Sequence, residues 1–269
     1  MEGKSQETPV PGKVEIAYGT DSLQKLDFWR AKGPDAPLLI FVHGGGWKRG
    51  DKSNTTGAAK VSHTLAAGYA FASIDYRLVP QATVEEQAQD VADAVAALRG
   101  QAAKLGFDPT RIVLMGHSAG AHLAALVGTD PRYFAKAGLK PDAVRGVILL
   151  DGAAYDVPRQ IAEGGNFMHD TYVQAFGSDV ARQKALSPTL QVAAPNAPDF
   201  LILHIAREDG TAQSVALGAA LRAAGTPAEV KAVEGKGLRG HMEINRKLGE
   251  PDYPATALVD AYLKRRFAR

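Results

Sequence analysis

Eight short runs of apolar residues, rich in β-branched and aromatic side chains, recur along the chain and predict eight strands. From the third run onward, most are separated by stretches of helical periodicity, which is typical of βαβ units and of a mainly parallel sheet covered on both faces. The first two runs have no helix between them, so they could pair as an antiparallel hairpin. The runs are Val14–Ala17, Leu26–Trp29, Leu38–Val42, Tyr69–Ile74, Ile112–Met115, Val147–Leu150, Phe200–Leu203 and Val230–Val233.

Three helices are well marked between or after these runs. The first starts at Thr83, because Thr83 and Glu86 are spaced as a capping box, and Gly106 is a natural end for it. The other two are predicted over Ala212–Ala224 and Tyr253–Phe267, and the basic last turn of the latter suits the negative end of a helix. One apolar stripe runs along the first helix through Val91, Val95, Leu98, Ala102 and Leu105.

A single α/β domain accounts for the chain. It has 269 residues, of which 45% are hydrophobic and 22% charged, as in an ordinary globular protein. Residues 1–12 form a polar leader that we expect to be flexible, and the domain then extends over residues 13–269. The segment 152–198 has no clear strand, and we expect a small cap-like insertion there, either over a site or as peripheral packing.

Charge and composition exclude several classes of function. With 31 Lys and Arg against 29 Asp and Glu, the net charge of +2 gives no case for a nucleic-acid binder. The absence of cysteine excludes disulfides, thiolate nucleophiles and Cys-based metal sites. No apolar run approaches the length of a membrane span and no targeting signal is visible, so we expect a soluble protein, either cytoplasmic or exported and processed.

The motif GHSAG occupies residues 116–120, directly after a predicted strand and directly before a helical stretch. In that setting it predicts a nucleophile elbow, a sharp turn that exposes the hydroxyl of Ser118 and requires glycine at positions 116 and 120. The amide of Ala119 then points at the place where a tetrahedral oxyanion forms.

A second motif, HGGGW, spans residues 43–47 after the third predicted strand. Three consecutive glycines allow bare backbone amides to approach a ligand closely, so the amides of Gly45 and Gly46 are predicted to complete an oxyanion hole with Ala119. Trp47, beside this loop, is a candidate contact for the acyl or alcohol part of a substrate. The glycine patterns of phosphate-binding loops are absent.

The order of HGGGW, DYRL at residues 75–78, GHSAG, LILH at residues 201–204 followed by an acid, and a late histidine resembles the α/β-hydrolase superfamily. Within it, the chain is similar to carboxylesterases related to hormone-sensitive lipase and to bacterial feruloyl-esterase-like and arylformamidase-like enzymes. The resemblance implies an eight-stranded, mostly parallel sheet and a triad in the chain order nucleophile, acid, base. The DYRL residues are better explained by a buried ion pair that braces the glycine loop than by substrate contact.

His241 is the predicted base, because among seven histidines it alone follows the last predicted strand, where this fold places its base. His122, on the helix after the elbow, is expected to be buried and hydrogen-bonded instead. The acid should follow the strand Phe200–Leu203, where Glu208 and Asp209 are adjacent. We favour Asp209, because Asp-Gly suits a tight turn that holds a short carboxylate. Alternatives at the end of the preceding strand are Asp151 and Asp156.

These residues predict a serine hydrolase that cleaves esters with short or aromatic groups through an acyl-enzyme intermediate. The expected partner is a small-molecule ester, with no cofactor, no metal, no nucleic acid and no membrane, in a monomer or homodimer. An amide hydrolase on the same machinery is one alternative. A hydrolase-like binding protein that has lost catalysis is another.

Overall fold

The computed structural model describes residues 10–53, 55–163, 166–193 and 195–268. Within them eight strands form one sheet, and each lies at a run that the hydrophobic pattern predicts. The strands are β1 (Lys13–Ala17), β2 (Lys25–Trp29), β3 (Ala36–Val42), β4 (Ala70–Ile74), β5 (Phe107–His117), β6 (Gly146–Leu150), β7 (Phe200–Ala206) and β8 (Ala228–Lys236).

The sheet has the spatial order β1-β2-β4-β3-β5-β6-β7-β8. Strands β1 and β2 pair antiparallel, as does β2 with β4, and every later pair is parallel. The predicted eight-stranded, mostly parallel sheet is therefore confirmed. Because parallel strands end at the same edge, the loops after β3, β5, β6 and β7 converge on one side of the molecule.

Twelve α-helices flank the sheet in the described part of the chain, and the three predicted ones are among them. They are α1 (Ala58–Ala66), α2 (Val84–Gly100), α3 (Ala102–Leu105), α4 (Ala119–Thr129), α5 (Pro131–Lys136), α6 (Val157–Glu163), α7 (Asn166–Phe176), α8 (Val180–Ala185), α9 (Pro188–Gln191), α10 (Glu208–Ala223), α11 (Gly237–Arg246) and α12 (Pro254–Phe267).

Two helix boundaries differ from the sequence prediction. The capping box of Thr83 and Glu86 is present, but the helix it starts is interrupted at Gln101 and continues as the short α3, which ends at left-handed Gly106. Helix α10 begins at Glu208, four residues before the predicted start. That earlier start places the two candidate acids inside the first helical turn, with consequences for the site.

Apolar side chains cover both faces of the sheet. In β3, Leu38, Ile40 and Val42 join a core cluster with residues of α2 and α4, whereas the alternate residues Leu39 and Phe41 join a second cluster with α1, α11 and α12. This is the two-sided burial expected of a parallel sheet between helical layers. None of the helices in the described ranges is long and apolar enough to cross a membrane.

The segment 152–198 contains α6 to α9 and lies partly over the loop that follows β3. Thr171 of α7 lies against Gly46, and Lys48 donates a hydrogen bond to Gln174 at 3.3 Å. The insertion therefore covers the glycine loop. Of the expected leader, residues 1–9 lie outside the described residues.

Candidate active site

Ser118 occupies a strained turn between β5 and α4, with φ of 55° and ψ of −120°. A Cβ atom at Gly116 would lie 2.2 Å from the carbonyl oxygen of Gly120, and one at Gly120 would lie 2.2 Å from that of Val42. Both distances are far below van der Waals contact, so only glycine fits at either position. The GHSAG segment therefore forms the predicted elbow, and it leaves the Ser118 side chain partly exposed.

His241 joins the serine to a carboxylate. Its Nε2 atom lies 3.1 Å from Ser118 Oγ, and its Nδ1 atom lies 2.6 Å from Asp151 Oδ2. With the ring proton on Nδ1, the imidazole donates to Asp151 and its free Nε2 accepts the hydroxyl proton of Ser118. The histidine expected from the sequence is thus brought to the serine, although the two are 123 positions apart.

The acid beside His241 is Asp151, so the expectation for Asp209 is corrected. The Asp-Gly pair forms no tight turn, because α10 starts at Glu208 and takes both residues into its first turn. Asp209 there accepts a hydrogen bond from Gln160 at 3.2 Å, and its side chain is 36% exposed. Asp156, the other alternative, accepts a hydrogen bond from the amide of Arg159.

Asp151 is fully buried directly after β6, with φ of 43°. Its Oδ1 atom accepts a hydrogen bond from the amide of Ile205 at 3.2 Å, and its Oδ2 atom lies 3.0 Å from Nε of Arg207. Strand β6 adjoins β5, with Leu150 opposite His117. Asp151 therefore enters the site one strand closer to the nucleophile than a residue after β7 does.

The glycine loop reaches the nucleophile chiefly through Gly44. A Cβ atom there would lie 3.0 Å from the Cβ of Ser118. Gly45 and Gly46 have φ of 132° and 61° and form the turn that follows. A Cβ atom at Gly45 would collide with the carbonyl oxygen of Arg49. The sequence analysis names Gly45 and Gly46 but not Gly44, although Gly44 belongs to the same HGGG run.

Residues of DYRL brace this loop from behind. Tyr76 stacks on the ring of His43 and donates a hydrogen bond to its carbonyl oxygen at 2.9 Å. Asp75 accepts from the amide of Lys52 at 2.6 Å, and its Oδ2 lies 3.6 Å from the ammonium. The bracing role is as expected, whereas Arg77 pairs with Asp90 on α2.

Trp47 does not lie where a substrate can reach it, which corrects its predicted role. Its side chain is 1% exposed and has ring contacts with Tyr172, Phe176 and His122. Its Nε1 donates to Nδ1 of His122, whose Nε2 donates to the carbonyl oxygen of Leu186 at 2.8 Å. Trp47 thus fixes the insertion to α4, and His122 is buried and hydrogen-bonded as expected.

Two buried histidines beside the site are held neutral. Burial lowers the pKa of His43 to about 4. Burial, reinforced by the neighbouring His241, lowers the pKa of His117 well below its usual range. His117 Nε2 lies 2.9 Å from the carbonyl oxygen of His241 and donates to it, so the residue before the nucleophile holds the backbone of the histidine. The sequence pointed to His117 only as a neighbour of Ser118.

No group of three or more His, Asp or Glu side chains in the described ranges is arranged to hold a metal ion.

Comparisons with known proteins find one matching family and several similar esterases. The family BD-FAE matches residues 26–140. Esterase LipC of Mycobacterium tuberculosis is 34% identical over 204 residues, which are 72% of this chain and 50% of that protein. The chain spans about half the length of the first curated relatives it matches.

Two of the solved structures similar to this chain cover nearly its whole length. Esterase B from Lactobacillus Rhamnosis superposes with a TM-score of 0.77 at 23% identity, covering 96% of this chain and 85% of that one. The propionate-bound esterase Est2 from Thermogutta terrifontis superposes with a TM-score of 0.74 at 24% identity, covering 95% and 94%. Both are similar to this chain in fold.

Proposed function

We propose that this chain, which has the fold of the solved esterases similar to it, is a serine hydrolase that cleaves carboxylic esters. The observation that carries the proposal is the continuous contact from Asp151 through His241 to Ser118, with distances of 2.6 Å and 3.1 Å. A serine hydroxyl is a weak nucleophile on its own, and a base at hydrogen-bonding distance removes its proton as it attacks.

The reaction follows from the positions of these groups. Ser118 Oγ attacks the ester carbonyl while His241 Nε2 takes its proton, and Asp151 stabilises the imidazolium that forms. His241 then gives this proton to the departing alcohol, and a water molecule repeats the two steps on the acyl-enzyme. No cofactor takes part in these steps.

Backbone amides are proposed to stabilise the oxyanion. The proposed donors are the amide of Ala119, at the start of α4, and the amides of Gly44, Gly45 and Gly46 in the glycine loop beside Ser118. One such donor contributes about 3 kcal/mol to lowering the barrier. The proposed substrates are esters with short or aromatic acyl groups. The names of the similar esterases support an ester as the substrate.

The test is replacement of the nucleophile. Ser118→Ala should lower kcat on p-nitrophenyl acetate by about 10⁴-fold or more, with the fold retained by circular dichroism. The matched control is Ser178→Ala at an exposed position, which should leave kcat unchanged. A fluorophosphonate should label the wild type stoichiometrically and spare Ser118→Ala. Retained turnover in Ser118→Ala would refute the proposal.

A further inference from the structure

Strand β7, after which the catalytic acid was expected, is followed by Arg207, and this cation lies against the acid Asp151. Arg207 follows β7 and its Nε atom lies 3.0 Å from Asp151 Oδ2, the same oxygen that accepts from His241 at 2.6 Å. The guanidinium also lies 3.5 Å from the carbonyl oxygen of Gly152 and 3.9 Å from Asp209. One carboxylate oxygen is thus shared between the catalytic base and a permanent cation.

We propose that Arg207 is a positioning residue whose positive charge, paired with the Asp151 carboxylate, controls how strongly that carboxylate acts on His241. This rests on the proposed function. Asp151 stabilises the protonated form of His241, and the cation on the same oxygen opposes that stabilisation. The cation of Arg207 therefore opposes protonation of His241.

The burial of the pair gives this effect its strength. Asp151 is fully buried and the Arg207 side chain is 20% exposed, so solvent screens the charges less than at the surface. The guanidinium stays charged at every pH at which the enzyme can be assayed. Its influence on His241 is therefore constant across a pH profile.

Several other titratable groups lie near Asp151, His241 and Arg207, and most of them are uncharged near pH 7. Burial lowers the pKa of His117 well below its usual range and raises those of Tyr172 and Tyr253 to about 12, so these three stay neutral near pH 7. Burial also raises the pKa of Tyr155. Charged groups nearby include Lys60, which acts on His117, Asp209, which faces Arg207 from α10, and Glu243, which acts on Tyr253 from α11. All three remain in the variants below.

The experiment measures kcat/KM of the full chain on a p-nitrophenyl ester from about pH 5 to pH 9. On the acidic side of this profile, kcat/KM falls as His241 becomes protonated. Arg207→Met should move the midpoint of this acid limb upward by about one pH unit, because the Asp151 carboxylate then stabilises the imidazolium without an opposing cation. Arg207→Lys, which keeps the positive charge, should stay near the wild type, and KM should change little in both.

Arg159 offers a matched control, because it lines the same cavity of about 670 Å³ as Arg207 but pairs with Glu163 at 2.9 Å. Arg159→Met should leave the acid limb in place. If Arg207→Met does not fold, Arg207→Gln carries the same expectation. The rate of fluorophosphonate labelling against pH gives the same limb without turnover.

A purely structural role for Arg207 would lower kcat at every pH and leave the limb unmoved, and that result, or a downward shift, overturns this inference. Failure of the proposed function is distinguishable, since it appears as a wild type that the fluorophosphonate does not label.

Discussion

Replacement of Asp151 by asparagine tests the most specific feature of the site. Its two oxygens accept from different donors: Oδ1 from the amide of Ile205, and Oδ2 from His241 with Arg207 alongside. An asparagine side chain has one acceptor oxygen and one amino group, so it cannot serve both sides. Either orientation also removes the negative charge that stabilises protonated His241.

The size of the effect follows from that charge and from the histidine tautomer. Two opposite charges about 4 Å apart attract each other by about 4 kcal/mol at an effective dielectric constant of about 20. Loss of this attraction in the transition state corresponds to a decrease of about 10³-fold in rate. If the amino group faces His241, the ring proton moves to Nε2 and the base is lost, which costs about 10⁴-fold in serine proteases. We therefore expect Asp151→Asn to lower kcat by between about 10³-fold and 10⁴-fold.

The assay compares kcat and KM of Asp151→Asn and Asp209→Asn on p-nitrophenyl acetate at pH 7.5. KM should change little in Asp151→Asn, because Asp151 is fully buried and contacts no substrate. Asp209→Asn should keep kcat within about twofold, since its carboxylate is 36% exposed and contacts Gln160 and, at 3.9 Å, Arg207 rather than His241. If Asp151→Asn kept more than a tenth of the wild-type kcat, or Asp209→Asn lost more than tenfold, the assignment of the acid would be wrong.

Two further predictions concern stability. Gly120→Ala should lower the free energy of unfolding, measured in urea, by about 3 kcal/mol, because its Cβ would lie 2.2 Å from the carbonyl oxygen of Val42. Gly100→Ala, at a position in α2 with open space around it, should be neutral or slightly stabilising. Equal effects of the two substitutions would contradict this account. Burial lowers the pKa of His43 and of His122 from 6.5 to about 4, so the unfolded chain binds more protons between those values, and stability present above pH 6.5 should fall by about 2 kcal/mol per histidine at pH 5. Urea unfolding of the wild type at pH 7.5 and pH 5 measures this loss of stability. The loss should be smaller by about 2 kcal/mol in His122→Gln. Equal stability of the wild type at the two pH values would disprove the prediction.

The sequence by itself determined the features that depend on neighbours along the chain. Apolar runs of strand length set the central strands β3 to β7, because a buried parallel strand needs apolar residues on both faces. The capping box set the start of α2. GHSAG set the elbow and Ser118, since glycine is required at position 116 by the carbonyl oxygen of Gly120 in the same turn.

Only the tertiary structure decided which side chains meet across the ends of the strands. The local pattern around Asp209 suits a turn, but the helix that begins at Glu208 carries its carboxylate away, and Asp151 on the adjacent strand takes its place beside His241. Trp47 likewise stands next to the glycine loop in sequence, yet the insertion buries it. Contacts of this kind join residues tens of positions apart, and no local spacing encodes them.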